Sequence, residues 1–134
     1  MGSLLASRGV CVAGPAWSAR ALIEAPEAVV AVHHAYVEAG ATVHTVNSFR
    51  ATETALAEWA RVEGPTIDAA TLLRRAFECA RARERSALAA PRGEPCPATS
   101  LAPLRGCYEP EVDAVEARSR HRKQLKYLDD KHQT

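Results

Sequence analysis

Apolar residues recur with a helical period over residues 26–39, and this is the first clear pattern in the chain. They lie three or four residues apart, at Val29, Val32, Tyr36 and Val37. Pro26 suits a first helical turn, where a backbone N–H is not needed, and Gly40 suits the position after the last turn. Over residues 42–46, β-branched side chains fill four of five positions, which is typical of a strand. The pattern predicts a helix at 26–39 and a strand at 42–46.

A second cycle of helix and strand follows. Residues 53–60 have a short helical pattern, and Thr66 stands where it could cap a longer helix at 66–89. The apolar face of that helix should carry Ile67, Leu73, Ala76, Phe77 and Ala80. A short strand is expected at 98–101, limited by Pro97 and Pro103 because proline cannot donate to a ladder.

A last helix is predicted at 113–129. Its inward stripe should consist of Ala114, Ala117, His121, Leu125 and Leu128. Its other positions are basic, at Arg118, Arg120, Arg122, Lys123 and Lys126. Such a run is either a nucleic-acid patch or a solvated helix face, and we favour the solvated face. Alternating strands and helices indicate a parallel α/β protein, in which 42–46 and 98–101 pair in parallel.

The composition fits one modest domain and limits the partners. The chain has 134 residues, of which 47% are hydrophobic and 25% charged, with a formal net charge of +1. So small a charge provides no field for attracting nucleic acid or an acidic membrane. The sequence has no apolar run of the roughly 20 residues that a membrane helix needs, and no signal-peptide pattern. We therefore expect no nucleic-acid partner, no membrane and a cytoplasmic location.

The candidate chemistry lies mainly after the first predicted strand. Asn47, Ser48, Phe49 and Arg50 form a compact cluster there, and ligands of parallel α/β proteins bind beyond the carboxyl ends of strands. His33 and His34 are adjacent on a helix and point about 100° apart, so they are poorly placed to share one metal ion. His44 alternates along the strand and is interpreted as structural. Ser18 has no visible His and Asp partners for a nucleophile.

Several segments together resemble the homocysteine S-methyltransferases. The first is "AGPAWSARALIEAPEAVVAVHHAYVEAGATVHTVNSFRAT", with its Trp-Ser before a helix and its Asn-Ser-aromatic loop after a strand. The others are "SLAPLRGCYEPE", similar to the loop after the third barrel strand, and "HRKQLKYL", similar to the helix that follows. The resemblance covers most of residues 2–128. It implies a partial TIM (β/α)8 barrel with about two parallel strands and three main helices.

The resemblance also implies an activity and a site. Members of this family move a methyl group onto the thiol of homocysteine to give methionine, using a zinc ion held by three cysteine thiolates. A thiol bound to zinc is deprotonated near neutral pH, which prepares the nucleophile. By resemblance, Asn47, Ser48, Phe49 and Arg50 lie at the mouth of the second barrel strand, where backbone amides help to hold the amino-acid end of homocysteine. Trp17 resembles the tryptophan that walls this pocket. Arg50 departs from the uncharged polar residue or tyrosine expected there.

The chain also departs from the family pattern. Its four cysteines, Cys11, Cys79, Cys96 and Cys107, form neither a CxxC motif nor the adjacent pair that the family uses for zinc. The first barrel strand and its acidic residue would precede Met1, and the later strands would follow the tail. We therefore expect residues 1–134 to be an incomplete homocysteine-binding domain that holds no zinc by itself. Homocysteine binding would be weak or lost, and the sequence does not identify the methyl donor.

Two functions remain open at this point. The chain is either a homocysteine S-methyltransferase-family protein that is shortened and inactive on its own, or a non-catalytic barrel fragment or interaction module. The adjacent cysteine pair is the feature that distinguishes them, and the sequence lacks it.

The purified chain should carry no stoichiometric zinc, because its thiols are neither paired nor gathered at one strand end. Elemental analysis after gel filtration measures this directly. One tightly held zinc ion per chain would overturn the expectation.

Overall fold

The structure, a computed structural model, describes residues 1–84, 96–100 and 113–129. The described elements are α1 (Gly2–Ser7), a 3-10 helix (Trp17–Arg20), α2 (Ala21–Glu24), α3 (Pro26–Glu38), β1 (Val43–Thr45), α4 (Glu53–Val62), α5 (Ala69–Glu84), β2 (Cys96–Ala98) and α6 (Ala114–Asp129). They form a mixed α/β arrangement, as the sequence predicts. None of the helices within these described ranges is long and apolar enough to cross a membrane.

The two strands pair in parallel, which confirms the predicted pairing. Val43 stands opposite Cys96 and Thr45 opposite Ala98. β1 lies within the predicted 42–46, whereas β2 begins two residues earlier than the predicted 98–101. The prediction placed Pro97 outside the strand because it lacks an N–H. Cys96 N donates to Thr42 O (2.8 Å) and Val46 N donates to Ala98 O (2.8 Å), so the ladder uses the residues on either side of Pro97.

Helix α3 has the boundaries that local signals predict. Pro26 occupies its first turn, and Gly40 follows it with a φ of 95°, a conformation that favours glycine. The N–H of Gly40 donates to Val37 O (2.8 Å) and that of Ala41 to Tyr36 O (2.9 Å). These bonds satisfy carbonyls that the helix end leaves open. The chain then turns directly into β1.

Helix α5 begins later than predicted, and its cap is Asp68 rather than Thr66. Asp68 Oδ1 accepts from the backbone N–H of Thr71 (2.8 Å), and Oδ2 accepts from the Thr71 hydroxyl (2.7 Å). A carboxylate also suits the positive end of a helix, which explains why it serves here. The buried residues of this helix are Ala69, Leu72, Leu73, Ala76, Cys79 and Ala80. Ile67 and Phe77 pack against that core at its edge, and residues 85–89 of the predicted helix lie outside the described residues.

Helix α6 starts where predicted but does not bury its predicted stripe. Asp113 Oδ1 caps it by accepting from Val115 N (2.8 Å) and Glu116 N (2.9 Å). Leu125 is 43% exposed and Ala114 is exposed, while the side chain of Leu128 lies outside the described residues. Polar contacts connect this helix to the start of α4. The amphipathic pattern was therefore a poor guide to burial.

The polar contacts of α6 come from its basic residues. Arg120 donates to the Thr54 hydroxyl (2.6 Å), and Lys123 pairs with Glu53 (2.6 Å). Arg118, Arg122 and Lys126 are exposed, in keeping with the solvated face favoured from the sequence.

The core lies between α3, α5 and the N-terminal helices. Its largest buried side chain is Trp59 of α4, and Leu5, Leu22 and Leu72 are fully buried around the same core. Gly64 approaches the Trp59 indole so closely that a Cβ there would lie 2.4 Å from a ring carbon. The turn after α4 therefore requires glycine for space.

Replacing Asp68 with alanine should lower the free energy of unfolding by about 1 kcal/mol, the usual effect of losing a helix cap. Hydrogen bonds from Thr71 lower the pKa of the Asp68 carboxyl below its usual value. A lowered pKa stabilises the fold above the pKa of the unfolded chain, and this stabilisation is lost as the pH falls through the folded pKa.

Urea unfolding at neutral and acidic pH measures both effects. Thr66→Ala is the control and should leave stability unchanged. The assignment of the cap would be wrong if the two substitutions had equal effects at neutral pH, or if the Asp68→Ala deficit grew on acidification.

Candidate functional site

The polar cluster after β1 forms a tight turn whose first half is buried. Asn47 is 3% exposed and Ser48 fully buried, while Phe49 and Arg50 are half-buried. The Ser48 N–H donates back to Val46 O (2.8 Å), and the Ala51 N–H donates to Ser48 O (3.0 Å). These two bonds turn the chain away from the strand direction. Buried Asn and Ser then need internal partners, since an unsatisfied polar group in the core is costly.

Asn47 finds its partner in Ser18, on the 3-10 helix. The Asn47 amide Nδ2 donates to the Ser18 carbonyl (2.7 Å), and the Ser18 hydroxyl donates to Asn47 Oδ1 (2.9 Å). Both side chains are buried, so each satisfies the other out of contact with water. This reciprocal pair fixes the segment around residue 18 against the carboxyl end of β1. It also shows that Ser18 donates to an amide oxygen and is not activated by a base.

Ser48 connects the ends of the two strands. Its hydroxyl lies 3.2 Å from the Thr99 hydroxyl and 3.4 Å from the Ser100 carbonyl, and it accepts from the Ser100 N–H at 3.2 Å. Thr99 and Ser100 directly follow β2. The carboxyl ends of both strands therefore meet at one polar cluster, the position where ligands bind in parallel α/β proteins.

Trp17, Phe49 and Arg50 form the exposed side of the site. The Trp17 and Phe49 ring centroids are 6.2 Å apart with the rings tilted by 56°, and the Arg50 guanidinium carbon lies 5.9 Å from the Phe49 ring centre. Trp17 is 50% exposed and has a φ of 48°, which is uncommon for a residue other than glycine. Such a conformation persists only where surrounding contacts enforce it. Here the fold holds a large apolar ring at the surface beside Phe49.

Two backbone donors remain open in this turn. The N–H groups of Phe49 and Arg50 donate to no acceptor within residues 1–84, 96–100 and 113–129. Adjacent backbone N–H groups in a turn are suited to bind an anion such as a carboxylate. The site thus combines a rigid buried scaffold with unused donors near its surface.

Three glutamates of the described chain are paired with other cations. Arg20 binds both oxygens of Glu24 (2.8 Å each) and one oxygen of Glu63 (3.0 Å). The hydrogen bond to Glu24 raises the pKa of the Arg20 guanidinium, so that it stays charged. Glu53, three residues after Arg50, is bound to Lys123. Arg50 itself has no carboxylate partner in the part of the chain that the structure describes.

The histidines are arranged in a way that the sequence did not suggest. His33 and His34 diverge as expected: His33 is fully buried, and His34 Nδ1 lies 3.2 Å from Glu38 Oε1 at the surface. His33 instead meets His44, with ring centroids 4.8 Å apart. Both rings lie between α3 and β1. The predicted strand alternation placed His44 on one face but gave no indication of what that face touches.

The described residues do not fit a zinc ion. Cys11 and Cys96 are exposed, and Cys79 is buried with its sulfur 3.8 Å from Pro26 O. No three His, Cys, Asp or Glu side chains in the described ranges gather into a group that could hold a metal. Cys107 lies outside the described residues. The described side chains therefore provide no ligand set for a zinc-dependent step.

Comparison with known proteins identifies the family. The family model for homocysteine S-methyltransferase matches residues 1–133, nearly the whole chain. The chain belongs to the homocysteine S-methyltransferase family. The resemblance inferred from the sequence is thereby confirmed. A comparison with curated proteins gave no significant match.

A solved structure supports the same family and the barrel architecture. The chain is similar to the metallated form of the homocysteine methyltransferase MmuM from Escherichia coli, with 31% identity and a TM-score of 0.74. The match covers 97% of this chain and 48% of that one. The chain thus spans about half the length of this homocysteine S-methyltransferase structure. The predicted partial barrel is confirmed to that extent.

The structure brings together all four residues predicted to bind substrate. Asn47 and Ser48 form the scaffold, while Phe49 and Trp17 form the exposed side. The sequence did not indicate Ser18, Thr99 or Ser100 as partners of this cluster. Thr99 and Ser100 directly follow the second strand, and that position could have indicated them. The prediction missed them because it placed this strand at 98–101.

Replacing Ser18 with alanine should lower the free energy of unfolding by about 1–3 kcal/mol, because it leaves a buried Asn47 oxygen without this donor. Urea denaturation measures the change. Ser7→Ala is the matched control, since the Ser7 hydroxyl is exposed and donates to Leu4 O nearby (2.9 Å). A Ser18→Ala protein as stable as the control would show that the Ser18–Asn47 pair does not hold the site.

Proposed function

We propose that this chain forms the part of a homocysteine S-methyltransferase that binds the amino-acid end of homocysteine. The observation that carries the proposal is a pair of backbone N–H groups at the carboxyl end of a parallel strand. These groups, of Phe49 and Arg50, donate to no acceptor in the described part of the chain. In the family resemblance, backbone amides at this turn hold the amino-acid end of the substrate. A carboxylate placed there would receive hydrogen bonds from a turn whose position is already fixed.

The scaffold beneath the turn supports this role. The Ser18–Asn47 pair and the contacts of Ser48 with Ser100 hold the turn from two sides. Donors fixed before the ligand arrives lose little conformational entropy on binding, which favours affinity. Trp17 and Phe49 offer apolar surface for the aliphatic part of an amino acid. Each of these features concerns binding, and none supplies a base or a nucleophile.

The described residues contain no machinery for methyl transfer itself. Zinc in this family prepares the thiol, and the described side chains do not form a group for it. We therefore assign substrate binding to this chain and no catalytic residue. A non-catalytic binding module is the second candidate, and the separate positions of Cys11, Cys79 and Cys96 favour it over an enzyme complete in itself.

L-Homocysteine should bind weakly at the turn and shift the backbone amide signals of Phe49 and Arg50 in an NMR titration. The same titration of Ser48→Pro should show no such shifts, because proline removes the N–H that Ser48 donates to Val46 O. Thr66→Pro, an exposed loop position before α5, serves as the control for adding a proline. Circular dichroism must first show that both variants keep the helical content of the parent chain.

Binding that leaves Phe49 and Arg50 unaffected would contradict the proposed site. An assay for methionine with homocysteine, several methyl donors and added zinc extends the test to catalysis. We expect no methionine from the chain alone. Turnover that disappears in Ser48→Pro would show that the chain is active and that the site is nevertheless correctly placed.

A further inference from the structure

We propose that Arg50 pairs with the carboxylate of the bound amino acid and makes the site select ligands with a free carboxylate. This inference rests on the proposed homocysteine-binding function and adds a specificity-determining residue to it. Arg50 is the residue of the cluster that departs from the resemblance to the family. We infer the effect of this difference from where Arg50 lies in the turn and from what it contacts.

The charge of Arg50 supports this role. Its guanidinium has no carboxylate within ion-pairing distance among residues 1–84, 96–100 and 113–129. Glu53, the nearest acid in sequence, is bound to Lys123 at 2.6 Å. Glu24 and Glu63 are bound to Arg20. Within the described ranges no carboxylate neutralises Arg50, which favours a ligand carboxylate as its partner.

The contact of Arg50 with the Phe49 ring also supports this role. Its guanidinium carbon lies 5.9 Å from the centre of the Phe49 ring, and the residue is half-buried. An aromatic ring attracts a guanidinium and restrains its orientation. The hydrogen-bonding edges of a guanidinium stay available when an aromatic ring lies near it, and they match the two oxygens of a carboxylate.

The backbone N–H and the guanidinium of Arg50 are two kinds of donor in the same turn. Its own backbone N–H and that of Phe49 donate to no acceptor within the described ranges, and its side chain starts from the same turn. In the proposed arrangement, a carboxylate at the turn accepts from both the backbone donors and the guanidinium. A neutral carboxamide would lose the charge-assisted part of this interaction, which is the stronger part.

Trp17 indicates which kind of side chain the bound amino acid should have. Its ring is half-exposed, and its centroid lies 6.2 Å from that of Phe49. It therefore offers apolar surface near the carboxylate position. The combination fits a small amino acid with an apolar or thiol-bearing side chain.

The test compares binding of L-homocysteine and its carboxamide, L-homocysteinamide, by isothermal titration calorimetry. The parent chain should bind the acid at least tenfold more tightly, about the effect of one hydrogen bond to a charged group. Arg50→Gln should weaken binding of the acid by about tenfold and reduce the preference for it, since the charge is lost. Arg50→Lys should keep part of the preference, because it keeps the charge without the planar fork.

Arg61→Gln is the matched control, an exposed arginine on α4, and it should bind like the parent chain. Raising the salt concentration should weaken binding of the acid to the parent chain more than to Arg50→Gln, because salt screens the charge. All variants are compared after circular dichroism shows equal helical content.

The outcomes separate this inference from the proposed function. If Arg50→Gln binds the acid as well as the parent chain, with the same preference over the amide, the role of Arg50 is wrong and the binding site stands. If the folded parent chain binds neither compound, the proposed function is wrong, and the role of Arg50 with it.

Discussion

The backbone ladder between β1 and β2, which includes hydrogen bonds from Cys96 N to Thr42 O and from Val46 N to Ala98 O, holds the two strands side by side in parallel. Parallel strands cannot be joined by a tight turn, so the chain must cross from one to the other through α4 and α5. The crossover packs α5 against α3 and brings residues 99 and 100 next to the turn at 47–50. The core and the site both depend on this pairing, because it places the carboxyl ends of the two strands together.

The elements that local signals define were predictable from the sequence. Pro26 and Gly40 mark α3, and the β-branched run marks β1, because these signals act within a few residues. The start of α5 and the position of β2 were predicted wrongly where two local interpretations competed. Thr66 and Asp68 are both good caps, and side-chain geometry decides between them. Pro97 is incompatible with a strand only if the ladder needs a backbone N–H at that position.

The structure brings the candidate site residues together, but their contacts were not predictable from the sequence. The position after β1 and the family resemblance indicated Asn47, Ser48, Phe49 and Trp17. The Ser18–Asn47 bonds, the Ser48–Ser100 bonds and the His33–His44 contact join segments that are distant in sequence. No periodicity reports such contacts. Helix α6 shows the same limit, since its pattern predicted burial for Ala114 and Leu125 and both side chains are exposed.

The two faces of β1 have different surroundings. His44 faces the helix layer beside His33, while Val43, 63% exposed, and Thr45 lie on the opposite face. In a closed barrel that opposite face packs against other strands. The turn at 47–50 does not rely on such packing, because Ser18 and Ser100 fix it from within the described chain. The contacts that fix the proposed donors involve serine and asparagine side chains and backbone groups. If the turn binds an amino acid as we propose, the contacts that position it for binding lie within residues 18–100 of this chain.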